Sequence, residues 1–281
     1  MLSSYRLSTY AQRVLVYAVL FLLLAITLVP LWLVIVNATR STLEIQQGVG
    51  IFPSTHMVEN YNILVGRGVN LGRGFMNSLF LAVATTVVTV YFSLLTAYGL
   101  VVYEFPGKKA LYNSILILVM LPLQLSIIGF YQYMSKLGLT DNYAALILPS
   151  IASAGAVFFG KQYLESVVIH DLIDAARIDG CGELGIFHRV MMPLAVPGAF
   201  TLGIFSFVAS WNNFFTPFVL LSSVEKYTLP MLVQTLRGDP FRTEYGSIYL
   251  GLAITFVPII IIYALFSRYI VNGIALGAVK D

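Results

Sequence analysis

Six long stretches of this 281-residue chain contain no charged residue, and those gaps constrain its fold more than any other feature. They run between Arg13 and Arg40, Arg73 and Glu104, Lys109 and Lys136, Asp141 and Lys161, Arg189 and Glu225, and Glu244 and Arg268. Each is about 19 residues or longer, and an α-helix needs about 20 apolar residues to cross a hydrocarbon core of ~30 Å. Each gap therefore accommodates one transmembrane helix, with spans expected at about 14–36, 75–101, 111–134, 143–160, 197–221 and 246–267. The fifth gap is longer than one span needs, and Pro193 and Pro197 at its start place that helix beyond them. The uncharged tail from Tyr269 to Val279 is too short to cross. Composition agrees: 10% of residues are charged, against roughly 25% in soluble globular domains. So little polar surface cannot coat a water-soluble fold of this size. The expected class is an all-α integral membrane protein with six transmembrane helices, residues 1–281 forming a single domain.

The same residues narrow the function. The apolar run from Val14 to Val36 exceeds the 7–15 residues of a signal-peptide core and no small-residue cleavage site follows it, so it is expected to stay as the first helix. The net charge of +3 comes from scattered basic residues, which points away from a nucleic-acid partner. One cysteine, Cys181, forms no internal disulfide and no cysteine-based metal site. His56, His170 and His188 lack ligand spacing, so no metal is expected. Gly155 to Gln162 approximates a phosphate-binding loop, yet Gln162 stands where magnesium requires a hydroxyl and the intervening residues belong to a span. No catalytic constellation of the Ser–His, paired-Asp or His–Glu kind lies in the spans, so enzymatic activity is not expected. None of the six spans holds Asp or Glu, which argues against a stand-alone carrier coupled to ions.

The charges return in the loop from Lys161 to Pro193, which carries Lys161, Glu165, Asp171, Asp174, Arg177, Asp179, Glu183 and Arg189. A connection this long is expected to contain helix of its own. Asp171 reads as an N-cap with Asp174 at the third helical position, and Gly180 as the left-handed residue closing the helix. Ala175 and Ala176 give this helix a small-residue face that another surface can approach closely. Taken alone, the pattern fits a solvated connector as well as a docking site. Within the fifth span, Asn212 and Asn213 form the most polar pair, suited either to lining a path or to bonding a neighbouring helix and carbonyls loosened by Pro217.

Asp174-Ala175-Ala176, Asp179-Gly180-Cys181 and Pro193 resemble the "EAA" motif of binding-protein-dependent ATP-binding-cassette (ABC) importer permeases. The chain departs from that pattern with Asp174 for Glu, Cys181 for Ala and Met192 for Leu, while the spacing is intact. Leu137-Gly138-Leu139 leading to Asn142 through Pro149, Trp211-Asn212-Asn213-Phe214, and Arg268 to Gly273 with Gly277 to Lys280 are similar to the smaller permease subunit of maltose-type carbohydrate importers. The resemblance implies a permease that moves a sugar or oligosaccharide by alternating access, paired with a second homologous permease. Two cytoplasmic ATPase subunits would bind the ATP, leaving this chain without a cofactor, and an extracytoplasmic sugar-binding protein would deliver the solute. It further implies a cytoplasmic coupling helix within 170–190, with Asp174, Ala175, Ala176, Asp179 and Gly180 at the ATPase. The loop bearing Arg237, Asp239 and Arg242 would reach the binding protein, and Asn212 and Asn213 would line the path. Both termini are then cytoplasmic, in the direction of a slight excess of Lys and Arg on that side, nine against seven. Another small polar solute such as glycerol phosphate remains the alternative cargo.

Overall fold

The computed structural model describes the backbone of residues 2–66, 70–121, 126–235 and 243–278, and side chains from residue 12 to 265 within those limits. Among them there is no strand. In order the helices are α1 (Leu2–Ala38), α2 (Thr42–Gln46), α3 (Met57–Gly66), α4 (Leu71–Val102), α5 (Lys108–Met120), α6 (Ile127–Lys136), α7 (Ala144–Ile147), α8 (Ala154–Val167), α9 (His170–Ile178), α10 (Glu183–Ile186), α11 (Met192–Trp211), α12 (Phe215–Leu220), α13 (Leu229–Thr235) and α14 (Tyr245–Ala278). A 3₁₀ turn, Leu148–Ala152, joins α7 towards α8, and a π turn, Phe187–Met191, joins α10 to α11. Five stretches are long and apolar enough to cross a membrane: Gln12–Ala38, Leu71–Val102, Ala144–Val167, Glu183–Trp211 and Tyr245–Leu265. Large apolar side chains stay exposed along them, for instance Phe21, Leu22 and Ile26 of α1, as a lipid solvent requires.

The third expected span comes as two helices, α5 and α6, on either side of residues 122–125. Leu121 ends α5 in an extended conformation (φ −79°, ψ 131°), the geometry imposed on a residue that precedes a proline, here Pro122. Two spans differ from expectation in their bounds. The fourth span runs on from residue 160 to Val167, because Lys161 and Glu165 pair with each other on its last turns and so sit at the end of a span without breaking it. The fifth begins at Glu183 and ends at Trp211, not at 197 and 221. Pro193 falls in the first turn of α11 straight after the π turn, where the missing N–H costs no regular helical bond, and Pro197 is accommodated inside the helix.

The chain forms two compact units, Met1–Asn70 with Val233–Phe256 and Leu71–Leu232 with Val257–Asp281. In the first, Asn60 is buried and its amide donates to the carbonyls of Ala38 and Arg40, both at 2.9 Å, which ties α3 to the end of α1. Ser41 and Glu44 form a capping box on α2. In the second, α4 packs on α8 and α11. The approach of α8 and α11 depends on Gly198, where any side chain would collide with the ring of Tyr163. Thr85 of α4 donates to Ser210 of α11 at 2.8 Å, and Trp211 is buried between Phe75 and Phe207.

Candidate coupling site

The segment from 168 to 183 is built on the end of this second unit. Val168 and Ile169 are extended, so helical geometry starts at His170 and the N-cap is Ile169, without a side-chain cap. Asp171 is therefore not the expected N-cap. It lies in the first turn, where its charge still meets the positive end of the helix. Asp174 falls correspondingly later, and its carboxylate accepts from Arg177 one turn on, at 3.1 Å. The C-terminus closes as expected: Gly180 has φ +80°, its N–H donates to the Arg177 carbonyl at 3.0 Å, and the Cys181 N–H donates to that of Ala176 at 3.0 Å.

At 100° per residue a nine-residue helix can bury only one narrow face. That face carries Ile173, 1% exposed, and Ala176 behind it. They enter a core of Leu94 and Tyr98 from α4, Tyr163 and Leu164 from α8, and Ile186 and Phe187 from the α10 end. Burying an Ile side chain fully stabilises by about 1.5–3 kcal/mol. Ala176 thus belongs to the inner contact, and the two alanines do not share one outward face. The outward face presents Asp171, Leu172, Asp174, Ala175, Ile178 and Asp179, with Ile178 87% exposed.

A second attachment is invisible to motif reading. Glu183, first residue of α10, accepts from Arg177 Nε at 3.0 Å, from Tyr98 Oη at 3.3 Å and from Tyr103 Oη. The Arg177 guanidinium also lies over the Tyr103 ring, 5.7 Å from its centroid. Burial first, and then the Glu183 carboxylate, push the Tyr103 hydroxyl above its ordinary value, so it stays protonated and donates. One carboxylate therefore joins the end of α9, the start of the fifth span and the end of α4. The two tyrosines lie 80 and 85 residues away in sequence, and no local spacing signals them.

The opposite end of α4 carries a different cluster. Asn77 donates to the carbonyls of Glu225 and Tyr227, at 2.9 and 3.0 Å, and Arg73 pairs with Glu225 at 3.3 Å. Nearby, Asp141 takes a left-handed conformation (φ 54°) and accepts from the N–H groups of Ser222 and Ser223, the Ser223 hydroxyl and Lys226 Nζ. Lys226 first, then Ser223, hold its carboxyl well below the usual carboxylate range. Between Asn77 and Tyr98 the helix rises about 30 Å, a bilayer core, so the α9 segment and the 222–227 segment lie at opposite membrane faces.

Asn212 and Asn213 stand just beyond the end of the fifth span, at the break between α11 and α12. Asn212 is the C-cap of α11 and is exposed, whereas the Asn213 side chain accepts from the Thr216 N–H at 3.2 Å and starts α12. Asn213 thus serves the backbone of the break, not a neighbouring helix. Arg237, Asp239 and Arg242 lie outside the described residues.

These features define a polytopic membrane protein that carries a short helix packed on its bundle at one membrane face. Residues 89–275, which include that helix, match the family described as binding-protein-dependent transport system inner membrane component, and the chain belongs to this family. It is 36% identical over 256 residues to the arabinooligosaccharides transport system permease protein of Bacillus subtilis (strain 168), covering 90% of each chain. It is 29% identical to the diacetylchitobiose uptake system permease protein of Streptomyces coelicolor, covering 94% of this chain and 88% of that one. It is 30% identical to the sn-glycerol-3-phosphate transport system permease protein of Escherichia coli O1:K1, covering 92% and 94%. Among solved structures, a bacterial ABC transporter involved in the import of the acidic polysaccharide alginate shares the fold, with a TM-score of 0.79 at 22% identity over 93% of this chain and 97% of that one.

Proposed function

We propose that this chain is one of two permease subunits of an ABC importer for a sugar or oligosaccharide, moving its cargo by alternating access. The observation that carries the reading is the mounting of α9: Ile173 and Glu183 fasten it to α4 and the fifth span, while its outer face is left free to dock. Two cytoplasmic ATPases that close on ATP would move two such helices, and the rigid mounting would turn that displacement into a switch between inward-facing and outward-facing states. In this role Asp174, Ala175 and Asp179 face the ATPase, Gly180 ends the helix in the required geometry, and Ala176 supports it from within. ATP is bound by those partners, and this chain carries no cofactor and no catalytic residue of its own.

The α9 face is then cytoplasmic, and so are both termini; the Asp141–Lys226 cluster and the loop bearing Arg237, Asp239 and Arg242 face the external binding protein. Asn212, exposed at the break between α11 and α12, is assigned to the translocation path, and Asn213 shapes that break. A carbohydrate cargo draws support from the relatives named for arabinooligosaccharides and diacetylchitobiose. Glycerol 3-phosphate is the second reading, favoured by the relative named for it. Affinity purification of the tagged chain from its host tests the assembly. The expected companions are a second permease and an ATPase in two copies. Solute uptake by the chain alone in liposomes, without an ATPase, would overturn it.

A further inference from the structure

Beside the coupling site the same unit holds a cavity of about 870 Å³, lined by residues from the α4–α5 turn and from α8 to the first residue of α9. Its walls are of two kinds. Leu100, Val101, Phe105 and Val168 are apolar; Lys108, Lys109, Lys161 and His170, with the carboxylates Glu104 and Glu165 among them, are polar. Two of the lysines have partners: Lys108 pairs with Glu104 at 2.7 Å and Lys161 with Glu165 at 2.5 Å, while Lys161 also lies over the Tyr112 ring at 4.3 Å. Glu104 is 88% exposed, so its pair with Lys108 is readily exchanged for another anion, whereas Lys161, 12% exposed, stays with Glu165. Lys109 is exposed at the rim. The cavity opens at the end of three spans, and α5, which starts at it, buries none of its side chains. Leu111, Ile117, Leu118 and Met120 are all exposed along its length, giving an apolar lane that leads from the basic rim into the membrane.

An exposed lysine, Lys109, beside a readily exchanged pair at the rim of a partly apolar cavity, continuous with a lipid-facing helix, matches a molecule with an anionic head and hydrocarbon chains. We propose that this cavity binds the phosphate head of an anionic membrane phospholipid, with Lys109 and Lys108 holding the phosphate and the acyl chains lying along α5. His170 starts α9, so the bound lipid would touch the mounting of the coupling helix. The inference needs only the membrane embedding of the chain and stands apart from its cargo and its ATPase partners.

The test is native mass spectrometry of the full-length chain with its copurifying partners, titrated with phosphatidylglycerol and, separately, with phosphatidylcholine. Wild type should retain phosphatidylglycerol selectively. Lys109→Gln should weaken retention about fivefold and Lys109→Glu about thirtyfold, from roughly one interfacial charge lost or reversed. Lys109→Arg should bind as wild type does, and Lys136→Glu, at the end of α6 away from the cavity, should change nothing. Equal retention of both lipids, or equal phosphatidylglycerol binding by wild type and Lys109→Glu, overturns the site. Displacement of the lipid by millimolar inorganic phosphate would make it a soluble-anion site and overturn the lipid assignment.

Discussion

Replacing Ile173 by alanine removes the one fully buried side chain of α9 while leaving its outer face unchanged. Large-to-small core substitutions of this kind cost about 2–5 kcal/mol. A nine-residue helix has no independent stability in water, so the loss falls on its docking and not on the spans, whose own packing is intact. Even the lower figure, about 2 kcal/mol, is roughly a thirtyfold shift in the docking equilibrium. Hydrogen exchange on the purified complex reads this directly: peptides covering 170–183 should exchange at least tenfold faster in Ile173→Ala, with α4 and α11 unaffected. Uptake at equal expression should fall steeply while ATP hydrolysis persists, because the ATPases would then move a helix no longer fastened to the bundle. Unchanged exchange, or full uptake with faster exchange, would refute the argument that the mounting transmits the movement.

Other substitutions probe neighbouring joints. Glu183→Ala should lower uptake more than Glu183→Gln, which retains an acceptor for the Tyr98 and Tyr103 hydroxyls; equal effects would show that only the charge on Arg177 matters. At φ +80°, Gly180→Ala should cost about 1 kcal/mol and Gly180→Val more, so transport should decline in that order, and equal transport would contradict the left-handed closure. The Asp141 carboxyl, held low by Lys226, stabilises its cluster above the ordinary carboxylate range and loses that contribution only as pH falls through its own depressed value. Amide exchange at Ser222 and Ser223 should therefore be protected at pH 5 in wild type and faster in Asp141→Asn, and no difference would remove the proposed role of the charge.

What was legible in the sequence follows from which interactions are local. The six charge-free gaps register the high cost of charge in lipid, and the Gly180 closure registers a short-range constraint on φ. Where the reading failed, distance or context decided. Asp171 stands in a capping pattern, but Val168, packed on the core, and Ile169 are both extended and set the start of α9 earlier. Prolines 193 and 197 read as a boundary only if the π turn before them is unknown. Nothing local marks the cross-links made by Asp141, Lys226 and Glu183, because they join residues 80 or more positions apart. The division of Ala175 from Ala176 required knowing which side of α9 faces the bundle.

The central claim is that separate ATPases dock on the outer face of α9, and site-specific photocrosslinking tests it at neighbouring positions. A photoreactive amino acid at Ala175 or Ile178, on the exposed face, should crosslink to the ATPase subunit in the intact complex. At Ile173, turned into the bundle, the same group should crosslink within this chain. Crosslinks from positions 175 and 178 to lipid or to this chain alone, with none to an ATP-hydrolysing partner, would contradict the account.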